Sequence, residues 1–369
     1  MADKTYRILV INPGSTSTKV GVFDGETEVF TKNVAHEAEK LAEFKSVSDQ
    51  MPYRRDLILE ALAENDVDIS TIDAFVGRGG GLLALEGGTY AVNDVMLDHA
   101  YRGANGVQHP AQLGSQLANA FATQAGKPAF VVNPPDTDEL CDLARMTGIK
   151  GVYRNVHLHA LNLKETAIRH AHSMGKRYDE CNFIVCHIGG GISISAHQAG
   201  KMIDGSDIVG GEGMMAPTRC GAVPVAEVLN YLEAGHSIKE VRGMCMKTGG
   251  FVDLLGTSDA IEVCDRAAAG DAAAARAWDA MLYQINKYIG SMATVLGGKV
   301  DGILLGGGMV HNKGLVKSIE DNCGWIAPVS AYPGEFELEA MAAGAIRVLD
   351  GEEEPKTYTG VPVFTGFDD

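Results

Sequence analysis

The chain has 369 residues, enough for two domains that each bury a core, and its 46% hydrophobic and 21% charged residues strike the balance of a soluble globular protein. A formal charge of −17, from 31 basic against 48 acidic residues, argues against nucleic acid or an anionic membrane as partner, since no basic stripe or tail offsets it. Seven cysteines without a C-x-x-C pair, no secretory leader before the first strand and no long apolar stretch free of charge lead us to expect a reduced, cytoplasmic protein.

In chain order, Ile8 to Ile11 read as a buried strand, Asn12-Pro13-Gly14-Ser15 as a tight turn, and Ser17 to Phe23 as an alternating second strand. The tip carries the hydroxyls of Ser15, Thr16, Ser17 and Thr18 and the Lys19 ammonium. Backbone N–H groups and hydroxyls without bulky side chains suit a phosphate, which takes many short donors. Taken alone, the stretch reads equally as an ordinary N-terminal hairpin. Val34 to Leu41 reads as a charged link, and Asp49 to Asn65 as an amphipathic helix with Leu57, Ile58, Ala61 and Leu62 on its apolar face. Ile72 to Val76 reads as a strand that delivers Gly77-Arg78-Gly79-Gly80-Gly81. Gly79-x-Gly81-x-x-Ala84 matches a dinucleotide fingerprint in form, but Gly87-Gly88 would break the helix that fingerprint needs. Arg78 stands between glycines that let a ligand approach closely; a solvated surface charge is the alternative. His109 precedes Pro110 at the expected start of a helix running to Ala125, where it could also pack or cap locally. The strand Ala129 to Val132 ends in Asn133-Pro134-Pro135-Asp136-Thr137. Asp136 thus stands at a strand's C-terminal end, where α/β sheets bind ligands, or caps a following helix. His157 and His159, two apart on a helix, would point apart and share no metal.

The first half is expected to end near Gly151, before a helix from His159 to Ala171. Phe183 to Gly200 then repeats the opening design, with Gly189 and Gly200 standing 175 residues after Gly14 and Gly25. Ile192, Ile194 and Ala196 are expected to face one way and Ser193, Ser195 and His197 the other, as on a half-buried strand. Gly205 to Pro224 is a Gly- and Pro-rich loop with Arg219 at its centre. Ala226 to Ala234, Ser258 to Ala275 and Ala277 to Leu296 read as helices. A third glycine turn closes the short strand at Ile303 to Gly308, and Phe336 to Leu349 reads as a last amphipathic helix. No G-x-x-x-x-G-K-[ST], G-x-S-x-G or zinc-ligand spacing is present, so any metal is expected to be a hard cation on few carboxylates.

VINPGSTSTKVGVF, CHIGGGISISA and GILLGGG, in this order, resemble the two phosphate motifs and the adenosine motif of the acetate and sugar kinase/Hsp70/actin superfamily. Within it the chain resembles the acetate kinase family, and YPGEFEL, LLGTSDA and HLHALN are similar to its butyrate kinase members. The resemblance implies an α/β, duplicated ribonuclease H-like/actin-like ATPase fold with two domains around a central cleft. One domain is expected over 1–150 with a C-terminal helix at about 340–369, the other over 151–339. The implied reaction is reversible transfer of the ATP γ-phosphoryl group to butyrate or a branched acid such as isobutyrate, with Mg²⁺, in a homodimer or larger homo-oligomer.

For single residues, the resemblance makes Arg78 the arginine of the substrate carboxylate and Arg219 the one that meets the phosphoryl group in flight. His159 would donate to that group, His109 would be a second active-site histidine, and Asp136 would orient Arg78 or hold magnesium. Glu335 is the implied acidic magnesium partner, with Glu337 as the alternative. Asn12, Gly14, Ser15, Ser17 and Lys19 fall in the first phosphate motif, and His187, Gly189, Gly190 and Gly191 in the second. Gly306, Gly307 and Gly308 fall in the adenosine motif. Thr218-Arg219-Cys220 departs from the Glu-Arg-Ser of butyrate kinases toward acetate kinase, which leaves acetate or propionate open as the acid. A non-transferring ATPase switch of the actin or Hsp70 kind is the reading from another class.

Overall fold

The apolar run Ile8–Ile11 lies fully buried at the centre of strand β1 (Arg7–Pro13), in a computed structural model that describes residues 5–367. Residues 1–4 and 368–369, the outer ends of the first expected domain, lie outside the described residues. β1 pairs antiparallel with β2 (Ser17–Asp24), Asn12 opposite Lys19 and Pro13 opposite Thr18. β3 (Thr27–Ala35) continues the meander where the sequence suggested only a charged link from Val34 on. It is the edge strand of its sheet and mostly solvated, so its charged residues carry little alternation to read. β4 (Ala74–Gly77) and β6 (Ala129–Val132) add in parallel, followed by β5 (Thr89–Ala91) and the short β12 (Lys356–Thr357). The order is β12-β5-β6-β4-β1-β2-β3.

A second, five-stranded sheet holds β7 (Phe183–Ile188), β8 (Ile192–Gln198), β9 (Lys201–Gly205), β10 (Gly302–Gly307) and β11 (Val329–Pro333), in the order β11-β10-β7-β8-β9. β7-β8-β9 repeats the β1-β2-β3 meander, β10 stands to β7 as β4 to β1, and β11 to β10 as β6 to β4. The correspondence holds residue for residue at the turns: β1 ends at Pro13 and β7 at Ile188, β2 begins at Ser17 and β8 at Ile192. Gly25 and Gly200 close both hairpins in the left-handed region, at φ 61° and 76°.

The chain divides into two compact units, one of residues up to 138 with those from 336 on, the other of residues 139–335. The first crossing lies ahead of the 150/151 boundary suggested by the sequence because Glu139 and Leu140 already belong to the second unit. Leu140 packs in that unit's core, and the Glu139 carboxylate is buried against Lys164 Nζ at 2.8 Å. The second crossing precedes 339/340 because the whole helix Glu337–Leu349 is part of the first unit, where Leu338 sits against Gly21 of β2.

In the first unit Leu9, Ile11, Val20, Val22 and Phe75 pack on helices Met51–Ala63 and Leu113–Ala125 through Ile58, Leu62, Leu117 and Phe121. In the second, Ile184, Ile194 and Ile303 pack on helix Ala272–Val295 through Met281, Ile285 and Ile289. The helix expected over Ser258–Ala275 stops earlier, at Ala268: Gly270 takes φ 94° and Asp271 caps the next helix through the N–H groups of Ala273 and Ala274. β8 is another correction. The polar face is buried too: His159 sits on Ser193, Leu158 and Ser195 close on Gly205, and Tyr178 sits on His197, so Ser193, Ser195 and His197 are fully buried rather than solvent-facing. His197 stays satisfied through Ser195 Oγ and Tyr178 Oη, both at 2.7 Å, and burial holds its pKa well below the ordinary histidine value. No helix among the described residues is long and apolar enough to cross a membrane.

A buried histidine also marks the first unit. His36 Nε2 lies 2.8 Å from Thr18 Oγ1, and burial, aided by the Arg54 charge, pulls its pKa down to about 4. The unfolded chain therefore takes up this proton first as pH falls. The contribution is full above about pH 6.5 and is lost on the way down to about 4, at most ~3 kcal/mol. Urea midpoints measured from pH 7 to 4.5 should fall, and His36→Gln should flatten that slope; a variant with the parent's slope would remove His36 as its source.

Candidate active site

The first glycine turn spans 14–16 and is closed by the Gly14 N–H on Ser17 O at 2.7 Å. Ser15, Thr16 and Lys19 are exposed, and Asn12 Nδ2 donates to Glu337 Oε2 at 2.6 Å. In the same unit β4 delivers Arg78, 8% exposed, whose Nη1 donates to Asn133 O at 3.2 Å. Burial lowers its pKa from the usual arginine value, while the charges of Glu337 and Asp136 work the other way. The carboxylates of Glu337 and Asp136 thus shape the field of Arg78, and a guanidinium fork of this kind can take a further anion.

The glycines around Arg78 do more than admit a ligand. A Cβ on Gly77 would fall 2.0 Å from Gly114 O, and one on Gly114 1.9 Å from Arg78 O. The start of helix Leu113–Ala125 therefore lies directly against the strand end that carries Arg78. Asp136 accepts from Asn105 Nδ2 at 2.6 Å and from the Leu82 N–H at 3.4 Å, and the next helix begins only at Asp142, so it caps no helix. His109 is the cap of the short turn Pro110–Gln112: its Nδ1 accepts the Ala111 N–H at 3.2 Å. An accepting Nδ1 leaves the proton of the neutral ring on Nε2, as a hydrogen-bond donor. The local capping role and a donor role are compatible.

In the second unit the turn 189–191 follows β7. Thr218 ties the PTRC loop to it, through Oγ1 to Gly190 O at 2.9 Å and N–H to the same oxygen at 3.3 Å. This lays the Arg219 guanidinium over Gly191, where a Cβ would meet Nη1 at 1.6 Å. Arg219 Nε and Nη1 are buried and find no hydrogen-bond partner among the described residues. Burial lowers the Arg219 pKa, opposed by the charge of Asp207. A half-buried guanidinium with idle donors beside a glycine turn is built to receive an anion.

His159, at the start of helix Ala160–Ser173, stacks on His187 with ring centroids 3.9 Å apart. Ser193 holds the ring through Nδ1 at 2.8 Å and also accepts the His159 N–H at 3.2 Å. Glu335 Oε1 stands 3.7 Å from His187 Nε2. Gly307 takes φ 98° with Ile188 O 2.4 Å from any Cβ, a place only glycine fills. Beside Gly308 opens a cavity of about 410 Å³ lined by Asp259, Ile261, Trp278, Met309 and Asn312.

The structure thus brings Asn12, Arg78, Asp136 and Glu337 into one unit and His159, His187, Arg219 and Glu335 into the other. Of the two acidic alternatives, Glu337 is engaged by Asn12 and Glu335 neighbours His187. Among the described residues no group of three His, Cys, Asp or Glu side chains could hold a metal ion. Sequence reasoning missed Ser193, Thr218 and Asn105, which position the others; only the unexplained hydroxyl on the polar face of β8 hinted at Ser193.

A model of the acetokinase family matches residues 145–323. Two proteins of Clostridium botulinum named as probable butyrate kinases, from strains Alaska E43 (type E3) and Eklund 17B (type B), are each 45% identical over 355 residues. The match covers 96% of this chain and 100% of each relative. Among solved structures, acetate kinase from Porphyromonas gingivalis matches with a TM-score of 0.75 at 20% identity, over 93% of this chain and 100% of that one. Acetate kinase from Entamoeba histolytica matches with 0.74 at 16% identity, over 92% and 99% of the two chains. At such identities what is shared is the fold.

Proposed function

The chain belongs to the acetokinase family, on the side of its butyrate kinases, and from that premise we propose that it is a short-chain carboxylate kinase that moves the ATP γ-phosphoryl group to butyrate or a branched acid such as isobutyrate. Its α/β fold is the duplicated, ribonuclease H-like/actin-like ATPase fold of the acetate kinases. The observation that carries the reading is Arg219, an arginine with two idle buried donors strapped to a glycine turn.

The nucleophile is a carboxylate, already ionised at neutral pH, so no general base is needed. The barrier lies in bringing two anions together and in spreading charge over the moving phosphoryl group. Arg78 would neutralise and orient the acid; Arg219 and the N–H of His159 Nε2 would take up charge on the phosphoryl oxygens. The turns at 14–16 and 189–191 would cradle the phosphates, and the cavity beside Gly308 would take the nucleoside. Asp136 in one unit and Glu335 in the other each carry hard carboxylate oxygens that would suit Mg²⁺, an ion that takes one or two carboxylates plus substrate phosphates rather than a full protein cage. That ion would supply charge neutralisation on the phosphates.

Acyl choice rests on apolar fit, where one methylene is worth about 1–3 kcal/mol, and Thr218-Arg219-Cys220 supports acetate or propionate as the second reading. Initial rates with hydroxylamine as trap, across acetate, propionate, butyrate and isobutyrate, test both. Hydroxamate should form fastest with a four-carbon acid. Preference for acetate overturns the narrower reading; ATP consumption without hydroxamate from any acid overturns the kinase.

A further inference from the structure

Helix Met51–Ala63 carries two adjacent arginines with opposite fates. Arg55 pairs with Asp56 at the surface at 2.7 Å, while Arg54 is fully buried, and among the described residues no carboxylate pairs with it. Its guanidinium is spent on the back of the first glycine turn. Nη1 donates to Gly14 O at 2.8 Å, Thr18 Oγ1 at 3.1 Å and Ser17 O at 3.4 Å; Nη2 donates to Ser15 O at 3.4 Å. Gln50 Oε1 takes Nε at 3.1 Å and Nη2 at 2.9 Å, which fixes the plane of the fork. The backbone accounting of the turn is then complete on one side: the remaining carbonyl, Thr16 O, accepts the His36 N–H at 2.9 Å. Every carbonyl from Gly14 to Ser17 is engaged, while the N–H groups of Ser15 and Thr16, both exposed residues, take no partner among the described residues.

A buried guanidinium without a carboxylate is costly, and neutral partners alone make a poor return on that cost. The arrangement makes sense if an anion arrives on the other side of the turn. We propose that Arg54 is the positioning residue of the first phosphate turn: it draws the turn's carbonyls backward, leaves the Ser15 and Thr16 amides to a polyphosphate, and adds a fixed positive charge behind them. The proposal rests on the nucleotide reading above, and it concerns the phosphates rather than the nucleoside or the acid. Burial pulls the Arg54 pKa down only to about 10, so the charge persists at neutral pH.

The test uses the full chain with Arg54→Met and Arg54→Lys, reading KM for ATP, KM for butyrate, and inhibition constants for ADP and adenosine. Arg54→Met should raise KM for ATP and the ADP constant by about tenfold or more, with the butyrate KM and the adenosine constant within about twofold. Arg54→Lys, which keeps the charge and loses the fork, should fall between parent and Arg54→Met. A folded variant with parental ADP affinity, or one in which adenosine and ADP weaken together, overturns the proposal. If Arg54→Met does not fold, the Lys variant decides by the same ADP-to-adenosine ratio. Parent protein that binds neither ADP nor ATP would instead overturn the nucleotide reading, so the two failures are told apart.

Discussion

Arg219→Ala should lower kcat by about three to five orders of magnitude and move KM for either substrate by only a few-fold. An arginine that meets the phosphoryl group in the transition state contributes little to binding of the ground state, so its removal falls on kcat. The structure adds a second expectation. Arg219 Nε and Nη1 are buried and unpartnered, so alanine removes two unsatisfied donors along with the charge. The melting temperature should therefore hold or rise, an opposite sign from the activity. Arg219→Lys should recover only part of the rate, because an ammonium cannot present two parallel donors. Steady-state kinetics and a thermal melt on the same samples check both halves. A kcat within tenfold of the parent would remove Arg219 from the transfer step.

Gly114→Ala should be the most destabilising single methyl in the first unit, by about 3 kcal/mol or more. The added Cβ would sit 1.9 Å from Arg78 O and 2.6 Å from Arg78 N, both backbone atoms that no rotamer change can move. The helix must back away from β4, and the buried contacts of Leu117 and Phe121 with Phe75 go with it. Because the clash is with the backbone of Arg78 itself, protein that remains folded should also show a raised KM for the acid. Gly290→Ala, in helix Ala272–Val295 with nothing near its Cβ, serves as the control and should be neutral or mildly stabilising. Urea unfolding of the two variants decides. Equal midpoints would mean that the helix and strand have slack at this contact.

Much of this architecture was legible in the chain itself, and the reason is local. An apolar run of four, a glycine turn and an alternating strand specify a hairpin through short-range chemistry, so Ile8–Gly25 could be read without knowing its surroundings. Its recurrence 175 residues later held to the residue at both turns. The loops that carry Arg78 and Arg219 were legible for a similar reason: guanidinium groups among glycines stand out in an acidic chain. Where the reading fell short, the missing information was non-local. The alternation in β8 was real, but whether its polar face meets water depends on segments elsewhere in the chain, and His159 and Tyr178 close on it.

Arg54 and Arg55 show the same limit at its sharpest. Adjacent, chemically identical and on one helix, they differ only in what the fold sets opposite them: carbonyls of the turn for one, solvent and Asp56 for the other. The sequence by itself determined the hairpins, their duplication and the charged residues held in glycine loops, because turn chemistry and hydrophobic period act within a few residues. Only the tertiary structure decided which polar groups are buried, which donors stay idle and which glycines brace a contact, because burial and hydrogen-bond satisfaction belong to pairs of segments far apart in the chain.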